Sequence, residues 1–170
     1  MKRLRSVIAG RSRLTAALLG VVVLACSLGI ASASGDVSHQ GWPHTVTVWF
    51  AGNGGQRLIG TDGNDMLLGG AGSDTIVGGP GDDIIWGDRL PSPNGPNQTD
   101  KLFGGAGNDW IYTSHGYNIV DAGPGNDHVF AYFGHGTIDC GPGFDILTLD
   151  KSHQHDYTWK NCEVVRIGFP

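Results

Sequence analysis

The chain has 170 residues, of which 29 are glycine and 16 are acidic, and its formal net charge is −5. All but one of the acidic residues are aspartate. Helical proteins use Glu freely and Gly sparingly, because Gly costs about 1 kcal/mol in a helix interior, so the composition excludes a helix bundle and an α/β enzyme with long crossover helices. Disorder also fits poorly, because 39% of the residues are hydrophobic and the apolar ones recur at a fixed period.

The first 33 residues have the pattern of a targeting segment. Five basic residues between Lys2 and Arg13 precede an apolar stretch over residues 14–31, and small residues end it at Ala33. We predict a secretory signal peptide over residues 1–33 and hence a secreted, extracellular protein. A lipoprotein anchored through Cys26 and an uncleaved anchor remain alternatives. Cleavage after Ala33 leaves six basic against 16 acidic residues, a charge of −10 that attracts cations and repels nucleic acid.

The segment that follows, residues 34–50, is predicted to be an N-terminal cap. Residues 44–50 alternate apolar and polar side chains in the manner of a β-strand. A strand here would cover the first edge of a sheet that otherwise exposes unpaired backbone groups.

A nine-residue repeat fills residues 51–148 with ten units, one of them interrupted by an eight-residue insertion between Gly87 and Phe103. The fourth position is Gly in all nine uninterrupted units, which predicts a turn with φ > 0. The eighth position is always branched and apolar, as expected for the buried centre of a three-residue strand: Leu58, Leu67, Ile76, Ile85, Leu102, Ile111, Val120, Val129, Ile138 and Leu147. The sixth position is Asp in seven units: Asp65, Asp74, Asp83, Asp100, Asp109, Asp127 and Asp145.

This pattern matches G-G-x-G-x-D-x-U-x and resembles the RTX (haemolysin-type) calcium-binding nonapeptide repeats. The ending Cys-Gly-Pro-Gly-x-Asp from Cys140, followed by Cys-Glu-Val from Cys162, resembles the caps of secreted actinobacterial repeat proteins. The resemblance implies an all-β, right-handed parallel β-roll, or β-solenoid, in which two repeats make one 18-residue coil and ten repeats make five coils. It also implies Ca²⁺ as cofactor. The ions would sit between turns on one edge, bound by Asp carboxylates and main-chain carbonyls.

Units that lie 18 residues apart in the uninterrupted register share an edge of such a solenoid. The intact edge has Asp at every sixth position, and its predicted ligands are Asp65, Asp83, Asp109, Asp127 and Asp145 with the turn glycines Gly63, Gly81, Gly107, Gly125 and Gly143. The decayed edge has sixth positions Gln56, Asp74, Asp100, Asn118 and Gly136. We expect up to four ions on the intact edge and at most one or two near Asp74 and Asp100. Because stacked carboxylates repel one another, calcium should drive folding.

The last segment, residues 149–170, is predicted to be a C-terminal cap. Removal of the signal peptide leaves two cysteines, Cys140 and Cys162, and in an exported protein we expect them to pair. This disulfide would tie the cap to the last repeat.

Aromatic side chains at outward positions of the intact-edge strands form a row of Trp86, Trp110, Tyr112 and Phe130. Such a patch marks a binding or association surface. A terminal segment or a second copy could cover it, or it could bind a cell-envelope ligand such as a sugar.

No combination of residues in the sequence has the pattern of a catalytic site, and we predict no enzyme. His153 and His155 would allow a transition-metal site, but such residues are more often simply solvated. Two classes of function stay open. One is a secreted structural or adhesive module that binds calcium, and the other is a ligand- or carbohydrate-binding module that uses the aromatic row with calcium as scaffold.

Overall fold

The computed structural model describes residues 31–36, 41–88 and 97–168. In these ranges the chain is all-β and contains no helix, and thus none that could cross a membrane. The predicted signal peptide, apart from residues 31–33, and Cys26 lie outside the described residues.

Fourteen strands occur in the described ranges. They are β1 (Ala31–Asp36), β2 (Thr45–Phe50), β3 (Arg57–Ile59), β4 (Asp65–Leu68), β5 (Thr75–Pro80), β6 (Ile84–Trp86), β7 (Thr99–Ala106), β8 (Trp110–Tyr112), β9 (Tyr117–Asp121), β10 (His128–Ala131), β11 (His135–Asp139), β12 (Ile146–Leu149), β13 (Tyr157–Lys160) and β14 (Val164–Ile167). Most are three to six residues long, as the nine-residue period requires.

From β2 onward, successive strands alternate between two sheets. One sheet has the order β1-β2-β4-β6-β8-β10-β12-β14, and the other has the order β13-β11-β9-β7-β5-β3. Every pairing is parallel except that of β1 with β2. Leu67 stands opposite Ile85, and Ile85 stands opposite Ile111, so the insertion lengthens a coil without shifting its register. The chain is a parallel β-solenoid of about six turns, which confirms the predicted fold class.

The core is a double column of the eighth-position side chains. All ten of them are 2% exposed or less, and they form one continuous apolar cluster with other buried residues, among them Ala51, Ala122 and Leu149. Each buried branched side chain contributes roughly 1.5–3 kcal/mol relative to exposure. The period of the sequence therefore predicted the core correctly.

The fourth-position glycines have two different roles. Six of them adopt positive φ, as expected: Gly54, Gly72, Gly81, Gly107, Gly116 and Gly134. The expectation is wrong for Gly63, Gly125 and Gly143, which do not. At Gly125 and Gly143 a Cβ atom would stand 1.6 and 1.5 Å from the carbonyl oxygen of the glycine one coil earlier. At these two positions glycine is required because adjacent turns approach closely.

Both terminal segments continue the solenoid. Strand β2 pairs in parallel with β4, and Trp49 stands opposite Leu67, where it packs against the core. At the other end β13 adds to β11 and β14 adds to β12. Only β1 departs from the pattern, since it runs antiparallel to β2. The predicted cleavage point after Ala33 falls within β1.

Cys140 and Cys162 form a disulfide, as expected, with their Cα atoms 5.2 Å apart. Cys140 follows β11, and Cys162 lies between β13 and β14. The bond therefore joins the last repeat to the last coil.

The aromatic row is not an open surface. Tyr112 is only 9% exposed, because Trp42 packs edge-on against it and donates an indole N–H to its hydroxyl at 3.1 Å. Tyr112 also stacks between Trp86 and Phe130, at ring centroid distances of 4.3 and 4.7 Å. Of the possibilities that the sequence left open for this row, the structure shows a segment far away in the sequence, at Trp42, packed on Tyr112.

Trp110 is covered in the same way. A Cβ atom at Gly41 would stand 2.6 Å from its ring, so the backbone at Gly41 lies directly on the indole. Ile84, an outward position on the neighbouring strand, is fully buried. The outer face of this sheet therefore holds a second apolar cluster, which side chains of this same chain form.

We expect Ile111→Ala to lower the free energy of unfolding by about 2–5 kcal/mol, because it opens a cavity in the central column. The matched control is Ile59→Ala, since Ile59 is 56% exposed and its truncation should change stability by less than about 0.5 kcal/mol. Equilibrium denaturation at fixed calcium concentration measures both. Similar losses in the two variants would contradict the assignment of the core.

Candidate metal centre

The turns of the intact edge stack directly on one another. The backbone N–H groups of Gly81, Gly107 and Gly125 each donate to a carbonyl one coil later, at 2.8, 3.1 and 3.1 Å. A further bridge joins Gly125 to Gly143. The structure thus brings together the five turns that the sequence assigned to this edge.

The five sixth-position aspartates of the intact edge are all 0% exposed. One oxygen of each carboxylate, Oδ1, is directed toward the preceding coil. Asp83, Asp109, Asp127 and Asp145 each accept a hydrogen bond there from the backbone N–H of the aspartate before them, at 2.7–2.8 Å. The carboxylates therefore form a ladder that binds each coil to the next.

The second oxygen of the same four carboxylates has no partner. Oδ2 of Asp83, Asp109, Asp127 and Asp145 is buried and accepts no hydrogen bond. Burying an ionised carboxylate oxygen without compensation is strongly unfavourable, so such groups are protonated or bind a cation. Hard carboxylate oxygens are the ligands that calcium prefers. The four residues therefore fit the metal that their sequence pattern implies.

These free oxygens face backbone carbonyls of the next coil. Oδ2 of Asp83 and the carbonyl oxygen of Gly104 both lie 2.3 Å from the point where a Cβ at Gly78 would stand. One coil later, Oδ2 of Asp109 and the carbonyl oxygen of Ala122 lie 2.3 and 2.2 Å from the corresponding point at Gly104. Each of these two gaps thus holds one unpaired carboxylate oxygen and at least one carbonyl oxygen.

Asp65, in the first turn, differs from the other four. Its Oδ2 accepts hydrogen bonds from the N–H and hydroxyl of Thr61, at 2.5 and 2.9 Å. Its Oδ1 accepts from the indole N–H of Trp49 at 3.0 Å. The protein itself satisfies this carboxylate.

The aspartates of the decayed edge are satisfied as well. Asp74 accepts from the backbone N–H of Gln56 at 2.7 Å and of Gly70 at 3.0 Å, one on each oxygen. Asp100 accepts from the backbone N–H of Asp74 at 2.7 Å and from the hydroxyl of Ser114. In the described residues of this edge, no sixth-position aspartate oxygen is left without a partner.

Asn118 replaces aspartate in the next turn of the decayed edge. Its Oδ1 accepts from the backbone N–H of Ser114 at 3.1 Å, and its amide nitrogen donates to the hydroxyl of Tyr157 at 3.1 Å. Tyr157 donates in turn to the carbonyl of Phe133 at 2.5 Å. In this turn a buried network of Asn118, Ser114 and Tyr157 makes the contacts that an aspartate makes elsewhere.

The sequence analysis missed a second ladder on the intact edge, at the fifth position. Asn64, Asp82, Asn108 and Asn126 each accept, through Oδ1, a backbone N–H of the following coil at 2.7–2.9 Å. The run of Asn and Asp in this column was the signal. The fifth and sixth positions therefore bind neighbouring coils in opposite directions.

The analysis also missed Glu163. Its Oε2 accepts the backbone N–H of Asp145 at 2.8 Å, which repeats the bond of the sixth-position ladder one coil further. The 18-residue spacing from Asp145 was the available signal, but the residues before Glu163 lack the glycines of a repeat.

Burial raises the pKa of the ladder carboxyls. It raises the pKa of Asp83 to about 7, of Asp109 to about 8 and of Asp127 to about 7, and neighbouring carboxylates add to the effect while the backbone N–H bonds oppose it. The pKa of Asp145 is raised for the same first reason. A bound dication would favour the ionised form and reverse this shift.

Side chains alone do not make a metal site here. Across the part of the chain that the structure describes, no group of three or more His, Cys, Asp or Glu could hold an ion. His153 lies 3.6 Å from Asp150, without a third ligand. An ion on the intact edge would therefore need backbone carbonyls or water in addition to carboxylates, as calcium accepts readily.

The metal-free fold should lose stability as the pH rises. The pKa values of Asp83, Asp109 and Asp127 are higher in the fold than in an unfolded chain, so the folded state binds more protons between about pH 4 and pH 8. The free energy of unfolding of the metal-free chain should therefore fall across this interval. Circular dichroism melts in metal-depleted buffer at about pH 5 and about pH 8 measure the change.

Saturating calcium is the control for this prediction, because a bound dication keeps the carboxylates ionised and should remove the loss at high pH. A metal-free chain that melts at the same or a higher temperature at the higher pH would contradict the assignment.

The comparisons with known proteins agree with this geometry. Residues 50–89 and 97–129 match the family model of the RTX calcium-binding nonapeptide repeat, in four copies. No curated protein and no solved structure gives a significant match to the chain. The matched residues include the turns of Asp83, Asp109 and Asp127, and the turn of Asp145 continues their register. Residues 50–129 of the chain therefore carry RTX calcium-binding nonapeptide repeats.

Proposed function

We propose that this chain is a secreted β-roll whose intact edge binds extracellular calcium and whose folding is driven by that binding, so that it serves as a structural or adhesive module. RTX repeats in a β-solenoid make a calcium-binding structural protein. The observation that carries the proposal is the set of four buried carboxylate oxygens without partners. The pattern of residues 1–33 supports export.

The hydrogen bonds indicate which gaps would hold ions. Oδ2 of Asp83, Asp109 and Asp127 is free to ligate an ion in the gap that follows each of them. An ion at Asp65, Asp74 or Asp100 would have to displace hydrogen bonds that the protein already makes. We therefore propose that these last three residues are structural, which narrows the ligand set expected from the sequence.

The energetics fit a metal that drives folding. Three independent sites with Kd ~10⁻⁴ M, in about 1 mM calcium, would stabilise the fold by roughly 4 kcal/mol. This is a large part of the 5–15 kcal/mol typical of a whole domain. Calcium would also remove the cost of ionising the buried carboxylates at neutral pH.

A carbohydrate- or envelope-binding module is the alternative, and a second copy could also associate through the same surface. Trp86, Trp110 and Phe130 are half-buried and retain some exposed ring surface. Trp42 covers Tyr112, however, so the continuous aromatic platform that a sugar would need is interrupted. Packing of the rings against one another explains why they are grouped here, and we favour the structural module.

In chelator at neutral pH, the purified chain should lose most of its β-sheet signal, and added calcium should restore it. The expected reason is that about 4 kcal/mol of ligand binding is withdrawn. Far-ultraviolet circular dichroism and calorimetric titration measure folding and stoichiometry together, with magnesium as the control cation. An unchanged spectrum in EDTA would show that calcium does not drive folding.

Asp109→Asn should lower the calcium stoichiometry by about one ion, whereas Asp74→Asn should leave it unchanged. Both residues are buried at the sixth position, and asparagine keeps the Oδ1 that accepts the backbone N–H. The two substituted aspartates therefore differ only in the edge on which they lie and in whether their Oδ2 lacks a hydrogen-bond partner. Equal losses of calcium in the two variants would contradict the assignment of the calcium sites to the intact edge.

A further inference from the structure

The turn between β13 and β14 lies beyond the repeats but against the last aspartate of the intact edge. We propose that the gap between Asp145 and Glu163, here called the terminal gap, binds an additional calcium ion, and that this site is coupled to the Cys140–Cys162 disulfide. The inference rests on the proposed function, since it assumes that calcium binds the gaps of the same edge.

Glu163 continues the ladder of sixth-position carboxylates. Strand β14 pairs with β12, with Val164 opposite Ile146, so Glu163 stands in register with Asp145. Its Oε2 accepts the backbone N–H of Asp145 at 2.8 Å, as each ladder aspartate does for the one before it. The terminal gap is therefore lined by carboxylates on both sides, like the gaps within the repeats.

Asp145 supplies the unpaired oxygen. Its Oδ1 is held by the backbone N–H of Asp127 in the preceding coil, at 2.7 Å. Its Oδ2 is buried without a partner, in a side chain that is 0% exposed. In Asp83 and Asp109 the corresponding unpaired Oδ2 faces the following coil. For Asp145 the following coil is the terminal turn, and no repeat remains to provide another partner.

The terminal turn is shorter than the repeat turns, and this difference should affect how an ion is coordinated there and how tightly it binds. Asp139 stands opposite Lys160 and Ile146 opposite Val164, so only residues 161–163 make this turn, where a repeat uses six residues. Fewer backbone carbonyls are available, and Glu163 is exposed to solvent. The ion should therefore complete its shell with water, as calcium commonly does, and bind more weakly than in the internal gaps.

The disulfide spans the same gap. Cys140 begins the turn that carries Asp145, and Cys162 immediately precedes Glu163. The bond therefore holds the short terminal turn against the last repeat, with its one carboxylate in place. Because binding couplings are reciprocal, the disulfide should raise the calcium affinity of the terminal gap, and the bound ion should protect the disulfide from reduction.

The test compares five forms of the full chain: wild type, Glu163→Gln, Asp109→Asn, Asp156→Asn and the double variant Cys140→Ser/Cys162→Ser. Glu163→Gln keeps an oxygen that can accept the Asp145 N–H but removes the charge. Asp156→Asn is the control for loss of an exposed carboxylate near the same end. Calorimetric titration gives the number of calcium ions, and circular dichroism in saturating calcium confirms that each variant folds.

The second readout is the rate at which dithiothreitol reduces the disulfide in saturating calcium, followed by alkylation and mass spectrometry. We expect Glu163→Gln to bind about one ion fewer than wild type and to be reduced several-fold faster, with Asp156→Asn like wild type in both. A Cys140→Ser/Cys162→Ser double variant should bind the weakest ion of the wild-type titration at least several-fold less tightly.

A Glu163→Gln variant with wild-type stoichiometry and wild-type reduction rate would overturn the inference. If Asp109→Asn still loses an ion in that case, the proposed function stands and only the terminal gap is wrong. If the wild-type chain binds no calcium, the proposed function itself fails.

Discussion

The structure depends on a column of buried aspartate carboxylates, most of which have a hydrogen-bond partner for only one of their two oxygens. One oxygen of each joins a coil to the one before it, and the other, in four of the five, meets no donor. Small glycine turns make this arrangement possible, because larger residues would hold the coils apart. The close stacking that forms the ladder also leaves the second oxygen without a hydrogen-bond donor, and it raises the pKa of the carboxyl.

The two edges of the solenoid treat the same position in opposite ways. On the decayed edge, Gln56, Asn118, Ser114 and Tyr157 supply or replace the groups that an aspartate would need. In the described residues of that edge, no oxygen of Asp74 or Asp100 lacks a hydrogen-bond partner. On the intact edge the sequence keeps an aspartate in every turn, and in four of the five turns Oδ2 meets no donor. Loss of the repeat pattern on the other edge is therefore not a loss of structure, because other side chains take over the hydrogen bonds there.

The ends of the solenoid are built from the chain itself. Trp49 packs against the core column and donates to Asp65 in the first turn. Gly41 and Trp42 cover the outer face of one sheet, where Trp110 and Tyr112 would otherwise be exposed. At the far end a disulfide and a short turn replace the next repeat. The apolar and aromatic residues outside the core thus serve mainly to close the fold.

The sequence by itself determined the period, the buried column and the membership of each edge. A nine-residue repeat with one apolar position, such as Ile85 or Ile111, allows only one inward side chain per strand, and an 18-residue coil fixes which turns are neighbours. Only the tertiary structure decided which carboxylates are left unpaired. Asp65 and Asp83 have the same place in the motif, but Thr61 and Trp49 satisfy the first and nothing satisfies the second. Hydrogen-bond satisfaction depends on side chains that meet across coils, such as Trp42 on Tyr112, and a periodic pattern does not contain those contacts.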